Sequence, residues 1–270
     1  MKHFCAIIAM LIVTGIISCN SNKEEPKKVM LSEHEVRYSV DTTFMDGYVV
    51  WDSAVEGKRP VVLIIHEWWG NNLYPKSRAK KLAELGYLAM AVDLYGNGIT
   101  ADNPIDAGKL AMPFYVHPEM AKARFEAALE KIKSYPQADT TRIAAIGYCF
   151  GGAQVINLAK MGENLKGVVS FHGNLNVVPA DKDKLKAPIL VCHGQIDQFV
   201  TMAEVERFKH EMDSIHADYT FKSYPGATHA FTNKAATATG QKFSIPIAYN
   251  AAADSLSWLD MKDFFKKIFK

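Results

Sequence analysis

Cysteine is scarce in this chain of 270 residues, and neither sign of charge is in excess. Its 4 cysteines are too few for a scaffold held together by disulfide bonds. Because 31 basic residues nearly balance 29 acidic ones, the net charge predicts no general affinity for nucleic acid or acidic surfaces. The hydrophobic share of 49% is too high for a disordered chain, so the composition is that of a globular protein.

The N-terminal hydrophobic run is too short to span a membrane. Residues 4–18 carry no charge and follow Lys2, but a bilayer needs roughly 20 apolar residues. A basic start and a short apolar core are typical of a secretory signal peptide, which we predict over residues 1–18. Residues 16–19 read Ile-Ile-Ser-Cys and resemble a bacterial lipobox, in which the peptide is cut before the cysteine and the thiol carries lipid. An ordinary signal peptide with an incidental Cys19 is the alternative.

A polar segment follows the predicted cleavage site. This polar segment predicts a tether over residues 19–30, with lipid attached to Cys19. The tether would lead into a single domain over residues 31–270. Asn20 is not the aspartate that favours retention at the inner membrane. We therefore expect an exported protein that lipid anchors to the bacterial cell envelope, at the outer membrane, facing the periplasm or the cell surface.

Short apolar runs alternate with segments of helical periodicity along the rest of the chain. Five near-continuous runs of Val, Ile, Leu and Ala are typical of strands buried on both faces of a parallel sheet. They occupy residues 61–65, 87–92, 142–146, 166–171 and 188–192. The alternation predicts an α/β fold with a mostly parallel central sheet flanked by helices on both faces. In such sheets the functional site lies at the carboxyl ends of the strands.

Other elements are predicted from local signals. Residues 36–40 and 48–51 indicate an antiparallel pair joined by a turn at Asp46-Gly47. Pro118 is expected to begin a helix, and Thr201 has the spacing of a capping box. Apolar residues at helical spacing over 258–268 predict a closing helix, and residues 219–224 predict a further strand.

The most specific motif is Gly-Tyr-Cys-Phe-Gly-Gly at residues 147–152. It follows an apolar strand and precedes a helical segment, which is the context of a nucleophile elbow, here with Cys149 in place of serine. The tight turn needs glycine because neighbouring backbone passes close to it. The elbow would place Cys149 at a helix N-terminus, where the dipole favours a thiolate. A glycine-rich turn with a core cysteine is the alternative.

A nucleophile of this kind needs a base and an acid, in the chain order nucleophile, acid, histidine. Asp197 follows the predicted strand that ends at 192, and His229 follows the predicted strand 219–224. A lone loop aspartate is usually a turn residue, and a lone loop histidine is usually solvated. Their order and their joint placement after strand ends favour a triad of Cys149, Asp197 and His229.

These residues resemble the dienelactone hydrolase family of α/β-hydrolases, over most of residues 31–270. The resemblance implies that Cys149 is the nucleophile, His229 the general base and Asp197 the acid that orients it. The cysteine elbow is the specific part of the resemblance, because esterases in general share the other features.

The segment His66-Glu67-Trp68-Trp69-Gly70 ends another predicted strand. The resemblance implies that Glu67 contacts the thiol, and that the backbone N–H groups of Trp68 and Phe150 form the oxyanion hole. An ion pair at the rim of the site is the alternative for Glu67. The segment is not a zinc-binding H-E-x-x-H motif, because Gly70 stands where the second histidine is required.

The substrate pocket is expected to include Trp69, Tyr95, Asn97, Phe231 and Asn233. Members of the family that act on dienelactone, a carboxylate-bearing lactone, hold the carboxylate with arginines. The matching positions here look to be Asn97 and Asn233. Since asparagine cannot make the bidentate, charge-assisted pair that arginine makes, we expect a preference for neutral esters and lactones.

Three further candidates are interpreted as structural. His172 and His193 each precede a glycine at a strand end and are expected to be hydrogen-bonded histidines. Cys192 interrupts an apolar strand, which is typical of a buried thiol.

The resemblance implies a hydrolase that cleaves a small-molecule ester or lactone through an acyl-cysteine intermediate, of the carboxymethylenebutenolidase type and without a cofactor. The sequence shows no metal-ligand spacing and no nucleotide-binding glycine pattern. One alternative is a carbohydrate-ester or peptide hydrolase on the same fold. Another is a non-catalytic surface lipoprotein that binds small molecules or glycans.

Overall fold

The computed structural model of the protein describes residue 1, residues 28–175 and residues 177–270. The predicted lipidation site, Cys19, and almost all of the predicted signal peptide and tether therefore lie outside the described residues. The strands are β1 (Leu31–Val40), β2 (Thr43–Asp52), β3 (Arg59–Ile65), β4 (Leu88–Val92), β5 (Ala138–Tyr148), β6 (Val168–Phe171), β7 (Ile189–Gly194) and β8 (Tyr219–Tyr224). The helices are α1 (Leu73–Glu84), α2 (Pro104–Val116), α3 (Pro118–Lys133), α4 (Phe150–Lys160), α5 (Met202–Ser214), α6 (Ala236–Phe243) and α7 (Ala251–Ile268).

The eight strands form one sheet in the order β1-β2-β4-β3-β5-β6-β7-β8. β2 pairs antiparallel with β1 and with β4, and all other neighbours are parallel. The strands β4, β6 and β7 are buried along their whole length, as their continuous apolar sequences predict. The predicted mostly parallel α/β sheet is confirmed.

Two clusters of buried side chains cover the two faces of the sheet. Alternation along β3 shows the division, because Leu63 belongs to one cluster while Val62 and Ile64 belong to the other. Helices α2 to α5 contribute to the first cluster, and α1 and α7 contribute to the second. Helices on both faces leave the carboxyl ends of the parallel strands as the place where loops gather.

The turn between the first two strands was predicted wrongly. Asp41-Thr42 connects β1 to β2, whereas Asp46 and Gly47 lie inside β2. The backbone N–H of Asp46 donates to the buried Asp93 carboxylate at 3.0 Å. A Cβ atom on Gly47 would lie 2.8 Å from the side chain of Met90. The glycine is therefore explained by close packing within the sheet and not by a turn.

The three helix predictions are confirmed. α3 begins at Pro118, and the Thr201 hydroxyl accepts a hydrogen bond from the backbone N–H of Glu204 at the start of α5. The closing helix, α7, contains the predicted segment and begins earlier, after the capping residue Asn250. Among the residues that the structure describes, no helix is both long and apolar enough to cross a membrane.

Candidate active site

The predicted elbow is a sharp turn between β5 and α4. Cys149 has φ 53° and ψ −115°, a conformation that residues with a side chain rarely adopt. A Cβ on Gly147 would lie 2.0 Å from the Gly151 carbonyl oxygen, and one on Gly151 would lie 2.2 Å from that of Ile65. The glycines are needed because α4 begins against its own turn and against the end of β3. The half-buried Cys149 immediately precedes α4.

Two loops bring the predicted base and acid together. Asp197 follows β7 and His229 follows β8, and His229 Nδ1 lies 2.8 Å from Asp197 Oδ2. The second carboxylate oxygen, Oδ1, accepts hydrogen bonds from the backbone N–H groups of Phe199 and Val200, at 2.8 and 3.1 Å. With both oxygens engaged, the carboxylate is fixed in orientation and in turn orients the imidazole.

The imidazole of His229 also interacts with the thiol of Cys149. Burial alone would lower the pKa of His229, but the charge of Cys149 and hydrogen bonds with Asp197 and Cys149 raise it well above the usual value. An imidazole held between a thiol and a carboxylate can take the thiol proton and keep it as an imidazolium.

Cys149 and His229 line one cavity of about 170 Å³ at the carboxyl ends of the parallel strands. Aromatic and aliphatic side chains form most of its wall, together with two polar residues besides the reactive pair. The lining residues are Glu67, Trp68, Trp69, Ala111, Tyr115, Cys149, Phe150, Asn174, Phe199, His229, Ala230 and Ile247. A largely apolar wall with a few polar groups is typical of a site for a small organic molecule.

Glu67 lines this cavity and is hydrogen-bonded to Asn233. The Asn233 side-chain amide donates to Glu67 Oε2 at 2.7 Å, while the carboxyl is only 2% exposed. Burial raises the pKa of Glu67 to about 7, although Asn233 and the positive charges of His229 and Arg78 lower it. Glu67 thus shares the cavity with Cys149, whereas a contact with the thiol stays a prediction.

The two predicted oxyanion donors border the same cavity. Phe150 is the first residue of α4, where a backbone N–H has no carbonyl partner within the helix. Trp68 follows Glu67, and its carbonyl accepts a hydrogen bond from the Tyr95 hydroxyl at 2.9 Å. Tyr95 is itself buried and supports the loop from behind rather than lining the cavity.

The other residues predicted to form the pocket differ in whether they reach the cavity. Trp69 lines the cavity. Phe231 is fully buried and packs against His172, so it lies behind the wall. Asn97 is exposed in the loop after β4, and Asn233 reaches the cavity only through Glu67. Asn233 lines a neighbouring groove that shares Trp69 with the cavity.

Six lining residues were not predicted from the sequence; two of them are alanines, and the other four have larger side chains. Tyr115 comes from α2, Asn174 follows β6, Phe199 follows β7, and Ile247 lies between α6 and α7. The Tyr115 hydroxyl donates to the Asn174 side chain at 3.2 Å, which joins two walls of the cavity. No motif marks these residues, because only the packing of the loops brings them together.

The structure offers no obvious metal centre within residues 28–175 and 177–270, where no three His, Cys, Asp or Glu side chains are grouped as ligands. A cysteine at an elbow, with a histidine and an aspartate on later loops, is the arrangement that α/β-hydrolases use for nucleophilic catalysis.

Comparison with known proteins gives the same classification. Residues 45–269 match the dienelactone hydrolase family. Over 181 residues the chain is 32% identical to Protein usf of Aquifex pyrophilus. The matched region covers 65% of this chain and 78% of that protein. The chain is 33% identical over 181 residues to a protein of Aquifex aeolicus (strain VF5) named "Putative carboxymethylenebutenolidase", with the same coverage of 65% and 78%.

Solved structures extend the similarity to nearly the whole domain. The crystal structure of a dienelactone hydrolase-like promiscuous phosphotriesterase from metagenomic libraries superposes with a TM-score of 0.82 at 30% identity, covering 88% of this chain and 98% of that one. The structure named m3DLH superposes with a TM-score of 0.83 at 32% identity, covering 89% and 99%. The chain therefore belongs to the dienelactone hydrolase family and is a dienelactone hydrolase-like hydrolase with an α/β-hydrolase fold.

Proposed function

We propose that this hydrolase cleaves a small-molecule ester or lactone through a triad of Cys149, His229 and Asp197. The observation that carries the proposal is the 2.8 Å contact between His229 and Asp197, together with the cavity that His229 and Cys149 both line. The nucleophile, the base and the orienting acid follow the chain order of the α/β-hydrolases.

The first half of the reaction acylates the enzyme. His229 takes the thiol proton of Cys149, and the thiolate sulfur attacks the carbonyl carbon of the ester. The backbone N–H groups of Trp68 and Phe150 hold the oxyanion that forms. When the tetrahedral intermediate collapses, the C–O bond of the ester breaks and the imidazolium gives its proton to the leaving oxygen. For a lactone, that oxygen stays attached to the acyl group.

The second half releases the acid. His229 takes a proton from a water molecule, and the resulting hydroxide adds to the carbonyl carbon of the acyl-cysteine. The C–S bond then breaks, its electron pair returns to sulfur, and the acid leaves. Asp197 holds the imidazole through its hydrogen bond to Nδ1 and stabilises the imidazolium at each stage.

The test is turnover of a chromogenic short-chain ester by the purified protein and by two cysteine variants. Cys149→Ala removes only the nucleophile, so we expect kcat to fall by at least about a thousandfold while the fold is retained. Cys192→Ala is the matched control, because this second thiol is fully buried in β7 and should leave kcat within about twofold. Full activity of folded Cys149→Ala would refute the mechanism.

The same assay separates the alternatives. A non-catalytic ligand-binding lipoprotein would show no turnover of any ester, and a carbohydrate-ester or peptide hydrolase would prefer an acetylated sugar or a peptide. One structural relative is named a promiscuous phosphotriesterase, so a neutral phosphotriester belongs among the compounds compared.

We also propose that the protein is exported and held at the bacterial envelope by lipid on Cys19. Support comes from the sequence alone: the basic start, the short apolar core, the Ile-Ile-Ser-Cys ending and the polar residues that follow.

A further inference from the structure

His172 lies between the nucleophile turn and the loop that carries His229. It directly follows β6, and its ring is buried. The backbone N–H of Cys149 donates to His172 Nδ1 at 3.1 Å and shares its hydrogen with the Phe171 carbonyl at 2.9 Å. On the other side of the ring, Nε2 lies 2.7 Å from the hydroxyl oxygen of Thr232, three residues after His229.

These two contacts fix the tautomer of the imidazole. A ring nitrogen that accepts from an N–H group carries no proton, so the single proton of the neutral ring is on Nε2, which donates it to Thr232. Burial lowers the pKa of His172 well below its usual value, and the positive charges of His229 and Arg78 lower it further. The ring therefore stays neutral and keeps both hydrogen bonds.

The far end of this contact chain is anchored in helices α1 and α7. The Thr232 hydroxyl lies 2.6 Å from the Tyr74 hydroxyl, and the Thr232 carbonyl accepts a hydrogen bond from Arg78. Arg78 in turn pairs with Asp254 at 2.8 Å, and both side chains are buried. A rigid anchor of this kind holds Thr232 in place.

We propose that His172 is a positioning residue that keeps the main chain of Cys149 and the loop of His229 at a fixed separation, an inference that rests on the proposed acyl-cysteine mechanism. Both ends need such support, because Cys149 and Ala230, next to His229, have φ values of 53° and 57°. The transfer of a proton between Cys149 and His229 depends on their distance. Displacement by about 1 Å can cost on the order of a hundredfold in rate.

Two substitutions at position 172 separate the two hydrogen bonds. In His172→Asn, the side-chain oxygen occupies the place of Nδ1 and can still accept from Cys149, but the bond to Thr232 is lost. In His172→Gln, the terminal amide occupies the place of Nε2 and can still reach Thr232, but the Nδ1 acceptor is lost and the Cys149 N–H keeps the Phe171 carbonyl as its acceptor. We expect either change to lower kcat/KM for a short-chain ester by about 10- to 100-fold.

Thr232 provides a second pair of variants with little change in shape. Thr232→Ser keeps the hydroxyl and should behave like the wild type, whereas Thr232→Val keeps the shape, loses the hydroxyl and should behave like His172→Asn. His193→Asn is the matched control, because this buried histidine also precedes a glycine at a strand end but packs against Phe221 instead of the elbow.

The deciding readout is the pH profile of Cys149 alkylation by iodoacetamide, which needs no substrate turnover. We expect its midpoint to move in His172→Gln, His172→Asn and Thr232→Val, and to stay in place in Thr232→Ser and His193→Asn. Loss of thermal stability with an unchanged profile in the folded variants would show a merely structural histidine and overturn the proposal. If the wild-type protein turns over no ester, the proposed function fails, while the alkylation profiles still decide the role of His172.

Discussion

The carboxyl group of Glu67 occupies an unusual place for an acid. It is almost fully buried in a largely apolar cavity that Cys149 and His229 also line. The amide of Asn233, which donates to this carboxyl, is neutral, so burial prevails and raises the pKa of Glu67 to about 7. The charge of the cavity therefore changes across the neutral pH range.

This burial predicts a specific pH dependence of stability. The pKa of Glu67 is about 7 in the folded protein against 4.5 for an exposed glutamate, so the folded state binds the proton more tightly. The resulting stabilisation is complete below about pH 4.5 and is lost as the pH rises through 7. Glu67→Gln has no such proton, and its amide oxygen can still accept from Asn233. Between pH 4.5 and 8, urea unfolding should show that the wild type loses on the order of 3 kcal/mol more than the variant.

The control for this measurement is Glu84→Gln, which changes an exposed glutamate near the end of α1. Its unfolding free energy should follow the wild type at every pH. Parallel curves for Glu67→Gln and the wild type would contradict the burial of an ionisable acid at this position.

At the scale of elements, the contact between α4 and β3 sets the geometry of the elbow. Gly151→Ala would place a methyl group 2.2 Å from the carbonyl oxygen of Ile65, and backbone cannot yield there without moving α4. We expect a loss of unfolding free energy of about 3 kcal/mol or more, together with loss of esterase activity. Gly108→Ala, in α2 with no atom within 4 Å of the new methyl group, should instead gain about 0.5–1 kcal/mol. Equal stabilities of the two variants in urea would contradict this account.

The elements themselves could largely be predicted from the sequence, because their signals are local. Continuous apolar runs identified β3, β4, β6 and β7, and the glycines of residues 147–152 identified the elbow. The hairpin turn was misplaced because Asp-Gly is also compatible with a strand when a neighbour such as Met90 needs the space. A side chain on β4, which neighbours β2 in the sheet but is distant along the chain, is invisible to a local pattern.

At the scale of the whole molecule, chain order predicted which residues meet but not what surrounds them. Cys149, Asp197 and His229 follow different strands, and parallel topology alone brings strand ends to one edge. The wall of the cavity depends instead on how α2 and the loop before α7 fold over that edge, which places Tyr115 and Ile247 there. Loops fold according to tertiary packing, so no sequence period marks these residues.

The proposed lipid anchor predicts that the catalytic domain does not need the N-terminal segment. Among residues 28–175 and 177–270, hydrogen bonds to the domain begin at Met30, whose N–H donates to the Asp52 carboxylate at 2.9 Å and whose carbonyl accepts from Ser53 at 2.7 Å. A chain that starts at Lys28 keeps them and should be as active as the full chain.

Cys19→Ala should move the protein from the detergent phase to the aqueous phase in a Triton X-114 partition of cells. Detergent-phase partition of Cys19→Ala would rule out the lipid.

The charge of the cavity predicts the charge of the substrate. Among the described residues that line it there is no lysine or arginine, and Asn233 is engaged with Glu67. A carboxylate on the substrate would lose a charge-assisted hydrogen bond and face an acid that ionises near pH 7. We expect kcat/KM to be at least about tenfold higher for a neutral ester than for its carboxylate-bearing analogue with the same leaving group.

The preference for the neutral ester should grow from pH 6 to pH 8 as Glu67 ionises, and Glu67→Gln should abolish that growth. Faster turnover of the anionic ester would mean that a cation outside this lining reaches the substrate.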